Sequence, residues 1–318
     1  MTISLRVSPI LLLLVTGTGC IKQALVNGQI EGTRKASVAF DTIGDWEMAY
    51  NAASAGIIQF EGMHVLSPDN QDALFMLSKA YAGFAYGFAE DEMEAAEDAG
   101  DRALADYHRK RAIRAYGRAI AYGQELWDKR GITGFTEAQA SDSGLRAWLD
   151  QNFTEASDAA DIFWIGYAWL ARTNLMKDDA EAVANLFVAV AILEKAVALD
   201  PGYNQYSGLI VLGAYHARTA SAEPEEGKVL FEKAIEATGR KSLLVLFNYA
   251  TRYACAKADA ALYTKLLEEV IAAEDPDPAL RLTNTIAQRK ARRWLSPDRM
   301  FNACSIEPVT DTAPAGGS

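Results

Sequence analysis

An all-α fold, a superhelix of stacked helix pairs (α-solenoid), is what the sequence predicts. Three observations predict it. Half of the 318 residues are apolar, only 9 are proline, and β-branched runs with period-two alternation are nearly absent. Apolar residues recur at spacings of three and four, as on one face of a helix. Short segments recur as well: LEKAV from Leu193, FEKAI from Phe231 and LEEVI from Leu267 align at offsets of 38 and 36.

Residues 1–20 stand apart from the fold. Arg6 is followed by the apolar run Ile10 to Val15, too short to span a bilayer, and then by Gly17-Thr18-Gly19-Cys20. This order is that of a signal peptide ending in a lipobox, with Cys20 as the lipidated residue. Gly17 is the departure, since lipoboxes usually carry Leu, Val or Ile there. Ile21 follows the cysteine, so no aspartate retains the protein at an inner membrane, and an outer-membrane anchor is favoured. Removing the leader removes Arg6 and takes the net charge from −11 to −12. An acidic chain has no basic excess with which to neutralise phosphates, which argues against nucleic-acid binding.

The remainder, 21–301, reads as one helical domain. Ile21 to Ile43 forms a first helix. Asp45 caps a second, which runs to Leu66-Ser67-Pro68. Asn70 opens a third, with Leu74, Leu77, Tyr81, Phe84 and Phe88 along one face. Acidic residues from Glu90 to Asp98 then crowd a helix C-terminus, and basic residues from His108 to Arg118 crowd the start of the next helix. Both placements oppose the helix dipole. A hairpin turn at Gly100 would set Glu92 beside His108 and Glu90 beside Lys110, so that each placement offsets the other. Between 130 and 153 the periodicity lapses, as expected of an insertion.

Glu155 to Met176 carries the densest aromatic cluster. Lys177-Asp178-Asp179 makes a turn, and Asp178 with Glu181 has the spacing of a capping box. Val183, Leu186, Phe187, Val190 and Val197 make the buried face of the following helix. Tyr203 to Ala220 follows, and Pro224 fits a first helical position. Ser242 to Ala256 is apolar nearly all round and belongs between other helices. A stripe from Leu262 to Ile271 comes next. Asp277-Pro278 opens a last helix, ending near Leu295, with Arg289, Lys290, Arg292 and Arg293 on its surface. Residues 302–318 are expected to be a disordered tail. Cys255 and Cys304 could pair in an oxidising compartment; the plainer reading is one buried thiol and one tail thiol.

The repeat at 36–38 residues is the signature of tetratricopeptide-like helix pairs, whose stacking makes a concave inner surface. No catalytic motif accompanies it, and His64, His108 and His216 share no metal-ligand spacing. The sequence therefore implies no enzyme, no cofactor and no metal. Aromatic side chains offer the candidate site. Phe163, Tyr167 and Leu170 share one face of their helix, while Trp164 and Trp169 point elsewhere. The plainer reading is a central packing helix. The sharper one is a ligand cavity lined by Trp164, Tyr167 and Trp169, with Tyr81, Phe84 and Phe88 from the third helix.

Longer stretches carry a family resemblance. DIFWIGYAWLARTN, ILEKAVALDPGY and LRLTNTIAQRKARRWLSPDRMF, together with LSKAYAGFAYGFAEDE and RKRAIRAYGRAIAYGQELW, resemble the T component of TatT-type TRAP transporter systems. The C-terminal signature rests on Leu280, Asn284, Ala287, Gln288, Ala291, Leu295 and Phe301. The resemblance spans roughly Cys20 to Phe301. It implies a periplasmic, lipid-anchored, tetratricopeptide-like protein that partners the substrate-binding P subunit. It also implies a homotrimer whose protomers each enclose a cavity for an apolar small molecule, and it adds Asn284 to the cavity candidates. The rival expectation is an interaction scaffold in envelope assembly, built from the same repeats and holding no ligand.

Overall fold

The computed structural model describes residues 10–218 and 223–307 of the chain. Residues 1–9 of the expected signal peptide, the side chains of residues 10–20 including Cys20, and the tail from 308 onward lie outside the described residues. Every regular element among the described residues is helical, and none is a strand.

The elements follow from local chemistry. Helix α1 (Ile10–Ala36) ends in a 3₁₀ turn (Ser37–Thr42). Asp45 accepts a hydrogen bond from the Met48 amide and starts α2 (Trp46–Leu66). Asn70 accepts from Ala73 and starts α3 (Gln71–Phe84). These are the two caps expected from sequence, each satisfying an otherwise unpaired amide. α3 continues without a break through a π-helical segment (Ala85–Ala89) into α4 (Glu90–Asp98). Gly100, at φ +73°, reverses the chain into α5 (Arg102–Lys129).

The insertion folds as two short helices, α6 (Phe135–Ala138) and α7 (Asp142–Asn152). The aromatic helix is α8 (Asp158–Leu175). Its successor departs from expectation. The capping side chain is Asp179, not Asp178, and it starts only a short helix, α9 (Ala180–Ala184). Helical geometry breaks at Asn185 before α10 (Leu186–Leu199). Val183 therefore falls on a separate helix and is exposed rather than buried. α11 (Tyr203–Arg218) opens with three left-handed residues, Asn204, Gln205 and Tyr206. α12 (Pro224–Thr238) takes Pro224 at its start as expected.

α13 (Leu243–Asn248) runs into a second π-helical segment (Tyr249–Ala254), followed by α14 (Ala260–Ala272) and α15 (Arg281–Trp294). The chain does not end there. Ser296 caps a further helix, α16 (Pro297–Cys304), and Ile306 is buried beyond it. Residues 302–304, assigned to the tail from sequence, are thus folded. Cys304 on α16 is disulfide-bonded to Cys255, which closes the question of whether the two pair.

Neighbouring helices pack in chain order: α2 on α3, α3 and α4 on α5, α5 on α8, α8 on α10, and α11 on α12. Small residues allow the closest approaches. A Cβ at Gly213 would meet the Gly227 carbonyl and the Phe231 ring, and a Cβ at Gly123 would overlap Ile165 of α8. The segment Ala180–Leu199 is apolar enough to pass for a membrane span. Its residues Val188 to Leu193 are instead packed into the main core.

α15 does what pairwise stacking alone would not. It packs against α13 and α14 and also returns to α2, α4 and the 3₁₀ turn. Ile286 enters a cluster with Trp46 and Phe88. The basic face expected at the surface is turned inward. Arg289 and Arg293 bind the fully buried Asp91, and Lys290 lies 3.1 Å from Glu94 while only 1% exposed. Of the four basic residues, Arg292 alone is exposed. The acidic run therefore finds most of its partners about 200 residues away, not across the Gly100 turn. Glu92 does stand 3.9 Å from His108, but Lys110 pairs with Asp106 and Glu90 accepts from the Tyr116 hydroxyl.

Removing one partner of a buried ion pair strands the other. Arg293→Ala should therefore lower unfolding stability by about 3–5 kcal/mol. Arg109→Ala, which breaks a half-exposed pair with Glu97, should cost less than about 1 kcal/mol. Denaturant titration of both variants checks the contrast.

Candidate functional site

The sequence-derived candidates do not converge on one place. Phe84 and Phe88 join Trp46 and Tyr50 in an aromatic cluster near α15, with Phe88 fully buried. Tyr81 faces another way. It stacks on Tyr122, lies under Arg118 and donates to Glu61 at 2.7 Å. Trp169 meets Phe135 of the insertion edge-on. Asn284 is occupied by backbone: its carbonyl oxygen accepts from the Leu243 amide at 2.9 Å and its amide donates to the Lys241 carbonyl at 3.0 Å. It thereby caps α13 from a different helix, where Ser242 supplies no side-chain cap.

Trp164 and Tyr167 do lie together, and they lead inward. Trp164 donates its indole N–H to the Tyr203 hydroxyl at 2.8 Å. Phe163 stacks on Tyr167 and meets Tyr203 edge-on. Tyr167 in turn meets Tyr86 and Tyr116 edge-on, at ring separations of 6.3 and 6.1 Å. A continuous run of rings thus leads from Tyr203 on α11, across α8, to Tyr86 in the first π segment. Such tilted and offset contacts suit the ring quadrupoles.

At the Tyr86 end the aromatic run reaches the charged interior. Lys290 lies over the Tyr86 ring, 5.2 Å from its centre. Glu90 and Glu94, one and two turns further along, show how environment separates two like groups. Burial pushes the Glu90 carboxyl above its ordinary range, and the opposing pull of Lys290 and the Tyr116 hydrogen bond does not cancel it. Burial acts on Glu94 in the same direction, but Lys290, Arg293 and Arg299 outweigh it and hold that carboxyl at about 2.

Two polar groups here lack partners. The Tyr86 hydroxyl oxygen is buried with no hydrogen bond. Asn248 stands beside it and donates one amide N–H to the Leu244 carbonyl. Arg252, in the second π segment, acts electrostatically on Tyr86, Glu90 and Tyr167, yet forms no hydrogen bond or ion pair among the described residues. Sequence periodicity indicated neither residue. Each sits in a π-helical segment, whose wider turn rotates side chains away from the faces that 3.6-residue spacing assigns. Tyr86, Glu90 and Tyr167 are partly buried, while Tyr116 beside them is fully buried.

The family model described as the TRAP transporter T-component matches residues 43–301, most of the chain, and the chain belongs to that family. No curated protein matches it. The α15 stretch that carries the resemblance is the same helix that closes the fold.

The two glutamates should respond to pH with opposite signs. Glu94 contributes stability above the ordinary carboxyl pKa, and this is lost as pH falls toward 2. Glu90, with its folded pKa raised, is unstrained below the ordinary value and costs stability as pH rises through the folded one. Glu90→Gln, which can keep the Tyr116 hydrogen bond, should raise Tm at pH 7 and lose that advantage at pH 3.5. Thermal scans at the two values check it.

Proposed function

Starting from membership of the T-component family, we propose that the chain is the periplasmic accessory subunit of a TRAP-type solute uptake system. It docks the substrate-binding P subunit and shelters an apolar small molecule in an internal cavity. Family membership carries the transporter role. One structural observation supports the cavity: a continuous run of rings leads from Tyr203 through Phe163 and Tyr167 to Tyr86 in the interior. Aromatic walls with few polar groups suit an apolar ligand. In this reading the stacked helix pairs are tetratricopeptide-like, and α15 turns their open superhelix into a closed wall.

Two features support a periplasmic compartment. The leader ending at Cys20 specifies export and a lipid anchor, so the membrane is touched only through that anchor. The Cys255–Cys304 disulfide suits an oxidising envelope compartment. The protein acts as a homotrimer. The rival reading, an envelope-assembly scaffold with no ligand, has no structural observation in its favour.

Cys20→Ala should move the protein from membrane to soluble periplasmic fractions; unchanged retention removes the anchor. Affinity capture of the wild-type protein from envelope extract, followed by mass spectrometry, should recover a solute-binding protein of the same transport system. Recovery of envelope-assembly factors without any transport component would favour the scaffold.

A further inference from the structure

Four of the large apolar side chains that stand in solvent gather at one end of the fold. Ile21 and Leu25 lie on the turns of α1 just after Cys20, and Val65 and Leu66 close α2; each is between 62% and 74% exposed. Polar bonds hold the two pairs at the same end. Gln23 donates to the Ser67 hydroxyl at 2.6 Å, Ser67 donates to Asn27 at 2.8 Å, and the Asn70 amide reaches the same Asn27 oxygen at 3.1 Å. Ile21 and Leu25 share one face of α1, while Ile30, half a turn round from Ile21, is buried in the core. The apolar face at the start of α1 is thus turned away from the protein.

The place of Cys20 in the chain limits what can lie there. α1 runs through Cys20 without a break, and Gln23, already bonded to Ser67, is the third residue after it. Three helical residues rise about 4.5 Å, and even a fully extended segment of that length would reach only about 10 Å. The headgroup layer on each side of a bilayer is roughly 5–8 Å deep. A body held so closely to an acylated cysteine cannot stand clear of the headgroups. Charge agrees with this. The chain carries a net charge of −11, yet both acids where α2 meets α3 are tied to cations, Asp69 to Lys129 and Asp72 to Arg34. Lys22, exposed beside the anchor, has no ion pair among the described residues and suits anionic headgroups.

We propose that this corner is a docking surface for the lipid bilayer itself, with Ile21, Leu25, Val65 and Leu66 seated among the headgroups and upper acyl chains. The proposal rests on the lipid anchor at Cys20 put forward above and adds to it a fixed stance on the membrane. The acyl chains hold the protein to the bilayer, and the corner sets its tilt. α3, the first π segment and α4 form one continuous rod from Gln71 to Asp98 that starts at the docked corner. Its length carries the Gly100 turn about 40 Å away.

The test reads depth in the membrane. The mature protein, purified from membranes with its acyl chains, is reconstituted in phosphatidylethanolamine–phosphatidylglycerol vesicles with and without a lipid carrying a nitroxide near its headgroup. With Cys20 acylated and Cys255 bonded to Cys304, no thiol is free, so Leu66→Cys or Leu104→Cys places a single bimane probe at the corner or beside the Gly100 turn. The nitroxide should quench about half or more of the Leu66 probe's fluorescence and less than about a tenth of the Leu104 probe's. Leu25→Asp with Val65→Asp should reduce the Leu66 quenching by about half. Tm and flotation with the vesicles should not change, because both side chains are exposed and the acyl chains remain. Flotation with equal quenching at the two positions, with none at either, or with Leu66 quenching indifferent to the two aspartates overturns the docked corner and leaves the anchor standing. An unquenched Leu66 probe together with disulfide-linked dimers of the unlabelled Leu66→Cys protein overturns it in favour of an interface between copies. Wild type that carries no acyl chain, or stays in solution, overturns both.

Discussion

The ion pairs between α4 and α15 are the constraint on which the rest depends. Asp91 is fully buried, and a carboxylate there is tolerable only because Arg289 and Arg293 both reach it. Glu94, Lys290, Arg299 and Asp98 extend the set. The net gain from such a network is small, because desolvation offsets most of the Coulomb attraction. Its value lies in direction: no apolar contact would dictate so sharply which face of α15 meets which turn of α4. Once α15 is set by these bonds, Ile286 falls against Gly87, Asn284 reaches the start of α13, and Trp46 finds Arg289 over its ring at 4.0 Å. The enclosed aromatic interior is a result of that closure.

Much of the helical plan was legible in the sequence because its causes are local. Asp45, Asn70, Gly100 and Pro224 each act within one turn of their own position, and all four do as their chemistry suggests. The pairing of Glu92 with His108 was legible for the same reason. The closing of the stack was not. A charge run shows that it needs partners without showing which, and the nearest opposite charges in sequence were not the ones chosen. Lys290 looked like a surface residue because a cation near a helix C-terminus is usually solvated. The break at Asn185 and the left-handed turn at Asn204 to Tyr206 left no periodic trace at all.

The candidate site was legible only in half. Trp164 and Tyr167 were found from aromatic density, and they do meet. Asn284 entered through resemblance, and the structure gives its amide wholly to backbone groups. Tyr86 and Arg252 could not have been found from periodicity, since a π turn shifts the register by which faces are assigned. Arg252 in particular sits in a segment so apolar that a lone cation reads as a solvated exception.

The position of α15 near the end of the chain has a consequence for biogenesis. Nearly everything it binds on α2 and α4 is synthesised some 200 residues earlier. Until α15 is made, Asp91 lacks both of its ion-pair partners and Glu94 lacks Lys290 and Arg293. Cys304 follows α15 by ten residues, so its bond to Cys255 can form natively only after that helix has been placed. Oxidation then latches a closure that electrostatics has already selected. A chain truncated before 281 would lose two helices by count, and with them every counter-charge that Asp91 has in the fold.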